Sequence, residues 1–204
     1  MSGRARILLI TADTYSKLIH PGDRSVRTIF GDGAAATVIE LSDKDAGFLY
    51  PFVYGTDGEG AENLIVPAGG MKIPRRENPE EVVDDSGNTR TENNIYMNGA
   101  EIFNFTLRRV PATIKSLLQK SNLDLDEIDL FVFHQANQYM LNHLRRSMGI
   151  PAGKFVVSMK NCGNTVSSSI PLLLQNRLEE INKSKSLIAG FGVGLNAMLL
   201  ELTN

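Results

Sequence analysis

The sequence predicts an α/β layered domain, and three observations carry that reading. Short apolar runs of strand length occur at 7–10, 130–133, 155–157 and 187–191. Segments with apolar residues at helical spacing separate the later runs, over 97–121, 137–148 and 167–181. From residue 97 the order is therefore helix, strand, helix, strand, helix, strand, strand. That alternation is expected of a layered unit whose last two strands form an antiparallel hairpin.

The elements follow in order. Residues 5–11 read as a strand, and Ile-Leu-Leu-Ile at 7–10 has the continuous apolar character of a strand buried on both faces. Such a run almost at the first residue gives a chain that looks as though it begins in the middle of a sheet. Residues 28–41 read as a turn at Gly31-Asp32-Gly33 and then a strand, with small residues at 33–36 that suit close packing of another backbone. A further strand is expected at 47–54. The stretch 55–94 is polar, rich in Gly, Pro and charge, and without period, as in a functional lid or an interface arm.

Residues 97–121 carry the stripe Ile102, Phe103, Phe105, Leu107, Val110, Ile114, Leu117, Leu118, which Pro111 interrupts. Two helices, or one kinked helix with Pro111 near the start of its second part, are expected. A short capped turn at 124–129 leads to the strand 130–133. The helix 137–148 ends at Gly149, with Pro151 just beyond it. After the strand 155–157 and a turn at 161–164, a helix is expected over 167–181, with Pro171 within its first turn or so. The strand 187–191, the turn Gly192-Val193-Gly194 and a strand 195–202 complete the chain.

Composition bounds the function. The 204 residues are 42% hydrophobic and 22% charged, which is ordinary globular composition and not that of a disordered chain. A net charge of −2 gives no whole-chain field toward nucleic acid or membrane. The chain opens without a secretory signal pattern and no run approaches about 20 apolar residues, so a soluble cytoplasmic protein is expected. With a single cysteine, Cys162, no internal disulfide forms. No ligand set has zinc or iron spacing, so no metal is expected.

Two residues stand out chemically. His134 in Phe-His-Gln-Ala-Asn (133–137) and Asn164 in Cys-Gly-Asn-Thr (162–165) each follow a short apolar run and precede a helical pattern. Both then lie at the carboxyl edge of one sheet, where open α/β sheets build their sites. An imidazole and an amide are two hydrogen-bond donors, and two donors aimed at one point stabilise an oxyanion. No nucleophile with a base beside it is visible. Each residue also has a plainer reading: a core histidine, and a helix cap. Asn137 reads as a cap alone, and His20 and His143 as surface residues. Cys162, two residues from Asn164, is a small buried residue on the plainer reading and a thiol at a helix N-terminus on the sharper one. Gly190-Phe-Gly-Val-Gly194 leads into a strand, which suits a tight hairpin and not a nucleotide loop. Arg145 and Arg146 end one helix and Arg108 and Arg109 another; they complement helix dipoles or form a basic rim for CoA phosphates or an acidic carrier. The run Glu80 to Asp85 reads as a solvated loop.

Four motifs in order, Ile-Phe-Gly-Asp-Gly-Ala-Ala-Ala (29–36), His-Gln-Ala-Asn (134–137), Gly-Asn-Thr-Val-Ser-Ser-Ser-Ile-Pro (163–171) and Gly-Phe-Gly-Val-Gly (190–194), resemble the C-terminal part of β-ketoacyl-acyl carrier protein synthase III. The resemblance runs along essentially the whole chain and implies a thiolase-like α/β/α fold. Residues 1–41 would be the last strands of the N-terminal half and residues 42–204 the C-terminal half. It implies an acyltransferase of fatty acid biosynthesis that condenses acyl-CoA with malonyl-acyl carrier protein, with no cofactor beyond these thioesters, working as a homodimer. By motif, His134 and Asn164 hydrogen bond to the malonyl thioester as it loses CO₂. Phe191, Gly192 and Val193 line the acyl site, with the Val193 N–H in the oxyanion hole. The chain departs from the family in three places. The family's nucleophilic Cys lies upstream of Met1, Tyr139 stands where many members carry Arg near the pantetheine tunnel, and Leu195-Asn-Ala lacks the common Trp. The isolated chain is therefore expected to fail in condensation and, with an exposed core face, to associate. Two other readings are half of a split enzyme with a Cys-bearing partner, and a non-catalytic carrier-docking scaffold.

Overall fold

A computed structural model describes residues 6–40, 48–182, 184–192 and 195–201. A four-stranded sheet is built from β3 (Phe48–Gly55), β4 (Leu130–Phe133), β5 (Lys185–Phe191) and β6 (Leu195–Glu201), in the spatial order β3-β6-β5-β4. β5 runs parallel to β4, and β6 returns antiparallel from β5 with Leu195 opposite Phe191, the hairpin that the sequence predicts. A single bridge, Phe131 to Phe155, extends the sheet beyond β4, so the run at 155–157 is a one-residue contact and not a full strand.

All four residues of β4 are buried, because helices cover both faces of the sheet. Phe131 and Phe133 point to one face, where they pack with Val110, Ile114 and Leu117 of α1 (Gly99–Ser121) and with Met140, Leu141 and Leu144 of α2 (Gln138–Ser147). Leu130 and Val132 point to the other, against Leu173 of α3 (Ser169–Asn176) and Ile181 of α4 (Leu178–Ile181). This is the α/β/α layering expected of the chain, and it explains why a parallel strand reads as an unbroken apolar run.

Three expectations are corrected. Of the two alternatives at Pro111 the single helix holds, since α1 runs through Pro111, and Arg108 and Arg109 therefore lie inside it instead of at an end. Pro lacks only the bond to the Leu107 carbonyl, and the buried stripe on either side holds the helix together. The segment 167–181 is three pieces, a 3₁₀ turn over Val166–Ser168 followed by α3 and α4, because Arg177 leaves helical geometry at φ −130°. The third correction concerns β1 (Arg6–Asp13), which among the described residues pairs antiparallel only with β2 (Gly33–Glu40), as a two-stranded ribbon. Ile7, Leu8, Leu9 and Ile10 are 46–66% exposed instead of buried, since no layer of the described residues covers the ribbon there. The division expected at residue 41 adjoins 41–47, which lie outside the described residues, as does residue 202 at the end of the final strand.

The excursion 55–94 folds back on residues 18–23. The Thr89 amide donates to the Gly22 carbonyl, and the Ile95 amide to that of Leu18. Asp23 is buried and receives Arg90 at 3.3 Å. His20 is held there as well, with Nδ1 accepting from the Gly22 amide at 3.1 Å and Nε2 within 3.3 Å of Glu81, so it is half-buried and not a free surface residue.

Candidate active site

β4 delivers His134. Its amide donates to the Ala189 carbonyl at 2.8 Å and so continues the parallel ladder one residue past the strand. Its ring stands edge-on to Phe191, 5.4 Å between centroids at 84°, and its Nδ1 lies 2.6 Å from Ser169 Oγ. Gln135, fully buried, locks the backbone that follows. Its Nε2 donates to the Phe133 carbonyl at 2.7 Å and to that of Val156 at 3.3 Å, and its Oε1 accepts from the Ser158 amide at 2.8 Å. The carboxyl ends of β4 and β5 and the start of α3 thus meet at the imidazole.

Burial pushes the His134 imidazole down to about 4, and the ring is neutral at neutral pH. In the unfolded chain the same ring titrates near 6.5. Between those values the unfolded state binds the extra proton, so stability rises with pH across that window and falls as the solution is acidified through it. The loss from pH 7 to pH 4 is on the order of 3 kcal/mol. Urea midpoints measured from pH 7 to 4 check this, and the slope is smaller in His134→Gln, where only the carboxylates held low by their partners still contribute near pH 4.

Asn164 is held by a second backbone. Its amide donates to the Ile29 carbonyl and its carbonyl accepts from the Gly31 amide, both at 2.9 Å, which forms a parallel bridge with Phe30. This approach needs glycine on both sides. A Cβ on Gly31 would sit 2.0 Å from the Cys162 carbonyl oxygen, and one on Gly163, which is also left-handed at φ +65°, 2.8 Å from that of Ile29. The small residues at 33–36 point to close packing a little too late in the chain. The tightest contact is two residues earlier, and at Gly33 the neighbour is the Thr165 side chain.

Asn164 is 7% exposed. Its Oδ1 accepts from the Val166 amide at 2.9 Å, two residues on, so this half of the amide closes a local turn; the residues that precede the helical pieces are Thr165 and Ser168, and the helix-cap reading of Asn164 is corrected. The other half, Nδ2, donates to nothing among the described residues, so the turn leaves it available. Val166, at φ +53°, is a β-branched residue in left-handed backbone, a strained conformation of the kind that clusters at sites.

The other candidates divide. Phe191 is in the site. Gly192, at φ +152°, makes the turn after it, and Val193 lies outside the described residues. Arg145 is occupied, its Nη1 donating to the Ile150 carbonyl at 2.9 Å, whereas Arg146 is exposed. Arg109 and Arg108 face Asp57 at 2.6 and 3.6 Å. Asn137 is a cap, accepting from the Met140 amide at 2.8 Å. Cys162 is exposed, not buried; its thiol points toward the Ser158 carbonyl, and no described contact joins it to His134. Tyr139, 72% exposed, stacks on Phe103, as His143 does edge-on. Among the described residues no group of three or more His, Cys, Asp or Glu is arranged to hold a metal, and no helix is long and apolar enough to cross a membrane. Ser169 and Gln135 carry no signal in the sequence that marks them as supports of the site.

Comparison with known proteins points to one family. The family model described as 3-oxoacyl-[acyl-carrier-protein] synthase III matches residues 1–58, and its C-terminal companion matches residues 118–202. A β-ketoacyl-[acyl-carrier-protein] synthase III from Clostridium perfringens is 34% identical over 207 residues, which covers 98% of this chain and 61% of that protein. A crystal structure of a 3-oxoacyl-(acyl-carrier-protein) synthase III, 45% identical, superposes with a TM-score of 0.90 over 97% of this chain and 60% of that one. Another, from Burkholderia xenovorans, is 39% identical with a TM-score of 0.83, over 97% and 56% of the two chains. The chain thus spans rather more than half the length of these relatives, and the solved ones share its thiolase-like fold.

Proposed function

The chain belongs to the 3-oxoacyl-(acyl carrier protein) synthase III family, and on that footing we propose that it supplies the decarboxylating side of a condensation between an acyl-CoA and malonyl-acyl carrier protein in fatty acid biosynthesis. One observation carries the reading: a neutral, desolvated imidazole just past β4 is held by Ser169, on the segment that also carries Asn164, whose Nδ2 donates to nothing among the described residues.

The bond between the malonyl α-carbon and its carboxylate breaks and CO₂ leaves. The electron pair is taken up as an enolate with its charge on the thioester oxygen. Nε2–H of His134 and Nδ2–H of Asn164 donate to that oxygen, and such donors act most strongly where water is excluded. The enolate carbon attacks an acyl group held as a thioester on a cysteine, and the thiolate departs. Phe191 and Gly192 wall the acyl side; the family resemblance assigns the oxyanion N–H to Val193, which lies outside the described residues. Arg146 meets CoA phosphates or an acidic carrier; Arg145, already bonded to Ile150, contributes less. No cofactor beyond the two thioesters is needed. Against Cys162 as the acceptor stands the direction of its thiol, toward the Ser158 carbonyl, with no contact to the imidazole among the described residues. The acyl-bearing thiol then comes from polypeptide other than these 204 residues, in the same protein or in a partner. The exposed apolar face of β1 favours such a neighbour over a free-standing scaffold.

The test is release of CO₂ from malonyl-acyl carrier protein, by the chain alone and with the Cys-bearing N-terminal part of a relative added. His134→Ala lowers release about 10²–10³-fold, as loss of one oxyanion donor does. An unchanged rate in the variant, or no release in either arrangement, sinks the reading.

A further inference from the structure

We infer that Ser169 is a positioning residue that fixes His134 as the Nε2–H tautomer, by donating its hydroxyl proton to Nδ1. Ser169 is 4% exposed, so its hydroxyl has to find partners inside the protein. Its Oγ has two among the described residues: His134 Nδ1 at 2.6 Å and the Gln135 backbone amide at 3.4 Å. The Gln135 amide is a donor only, so Oγ accepts from it. The single hydroxyl proton is then left for Nδ1, the one remaining partner. In the opposite tautomer Nδ1–H would also donate to Oγ. The buried hydroxyl would accept twice and its own proton would have no acceptor, which costs about 1–3 kcal/mol. Which ring nitrogen carries the proton is set by the bond that the other nitrogen makes. Here the bond leaves the proton on Nε2.

The arrangement is rigid on each side. Gln135, through its own three bonds, fixes the amide that Oγ accepts from. Ser169 begins α3 directly after the strained turn at Val166, so the segment that carries Asn164 also carries the group that orients His134. Both donors of the proposed site are therefore set from one stretch of chain.

The chain has three histidines, which makes a direct reading practical. Long-range ¹⁵N–¹H correlation spectra of the ¹⁵N-histidine-labelled chain at pH 7, with His134 assigned through His134→Gln, will show the Nε2–H pattern. Ser169→Ala will shift His134 toward Nδ1–H or toward averaging of the two forms, and Ser169→Thr, which keeps the hydroxyl, will restore the parent pattern. An Nδ1–H pattern in the parent, or an Ala variant identical to it, overturns the inference. The parent spectrum decides the point even if Ser169→Ala folds poorly. The catalytic consequence rests on the proposed decarboxylation: CO₂ release falls about 10- to 100-fold in Ser169→Ala, the scale seen when the partner that orients an active histidine is removed. Failure of that reaction in every form would count against the proposed function and leave the tautomer standing.

Discussion

Replacing Gly31 with alanine will dislodge the turn that carries Asn164. The added methyl carbon would lie 2.0 Å from the Cys162 carbonyl oxygen and 3.1 Å from its carbonyl carbon. Both are backbone atoms, so no side chain can rotate out of the way. The two segments are joined by paired 2.9 Å hydrogen bonds between Ile29, Gly31 and Asn164, and the methyl group forces them apart. Two backbone bonds and the packing of Gly33 on Thr165 go together, which places the cost at about 4 kcal/mol, in the range that marks a specific steric mechanism. Denaturant titration will read the loss of stability. CO₂ release from malonyl-acyl carrier protein will fall to background even in conditions where the variant stays folded. Gly58→Ala is the control, because a methyl group there meets nothing within 4 Å.

The legible part of this chain is the part decided by burial on two faces. β4 and β5 read as strands because helices cover the sheet above and below, which leaves little room for polar residues there. The same rule fails at 7–10. An apolar run states only that the residues need cover, not which polypeptide gives it, and in this chain they lie open. Pro111 leaves two outcomes open for a different reason. Local propensity counts the lost hydrogen bond, whereas Val110, Ile114 and Leu117, all fully buried, set the outcome in the folded chain.

His134 and Asn164 are legible because each sits at the same point of the same pattern, an apolar run followed by a turn and a helix. Their supports are not. Ser167, Ser168 and Ser169 are alike in sequence, and only the 3₁₀ phase of the turn, entered through the positive φ of Val166, decides among them. Ser167 meets Asp13, Ser168 meets Thr11 and Ser169 meets His134. One tripeptide thus ties β1 to the imidazole, a contact set by topology and invisible to local pattern. Likewise Gln135 is one polar residue in a short motif until its three backbone partners are known.

Asn164→Asp separates the two roles of the amide more cleanly than alanine would. The carboxylate keeps an oxygen where Oδ1 accepts from the Val166 amide, so the turn persists. A negative charge at the entry to a helical segment is tolerated or mildly favourable, and stability is expected within about 1 kcal/mol of the parent. The second oxygen, however, replaces the Nδ2 donor with an acceptor. In the proposed reaction a developing enolate would meet a fixed negative charge in a dry site, where such repulsion is poorly screened. Loss of one donor accounts for about 10²–10³ in rate, and the added repulsion carries the loss to about 10⁴ or beyond. CO₂ release, measured beside the urea midpoint, decides between the roles. A stable variant that no longer decarboxylates identifies the donor half of Asn164 as the working half. A stable variant that decarboxylates as the parent does would leave Asn164 a turn former and nothing more, and His134 would then have to hold the enolate alone.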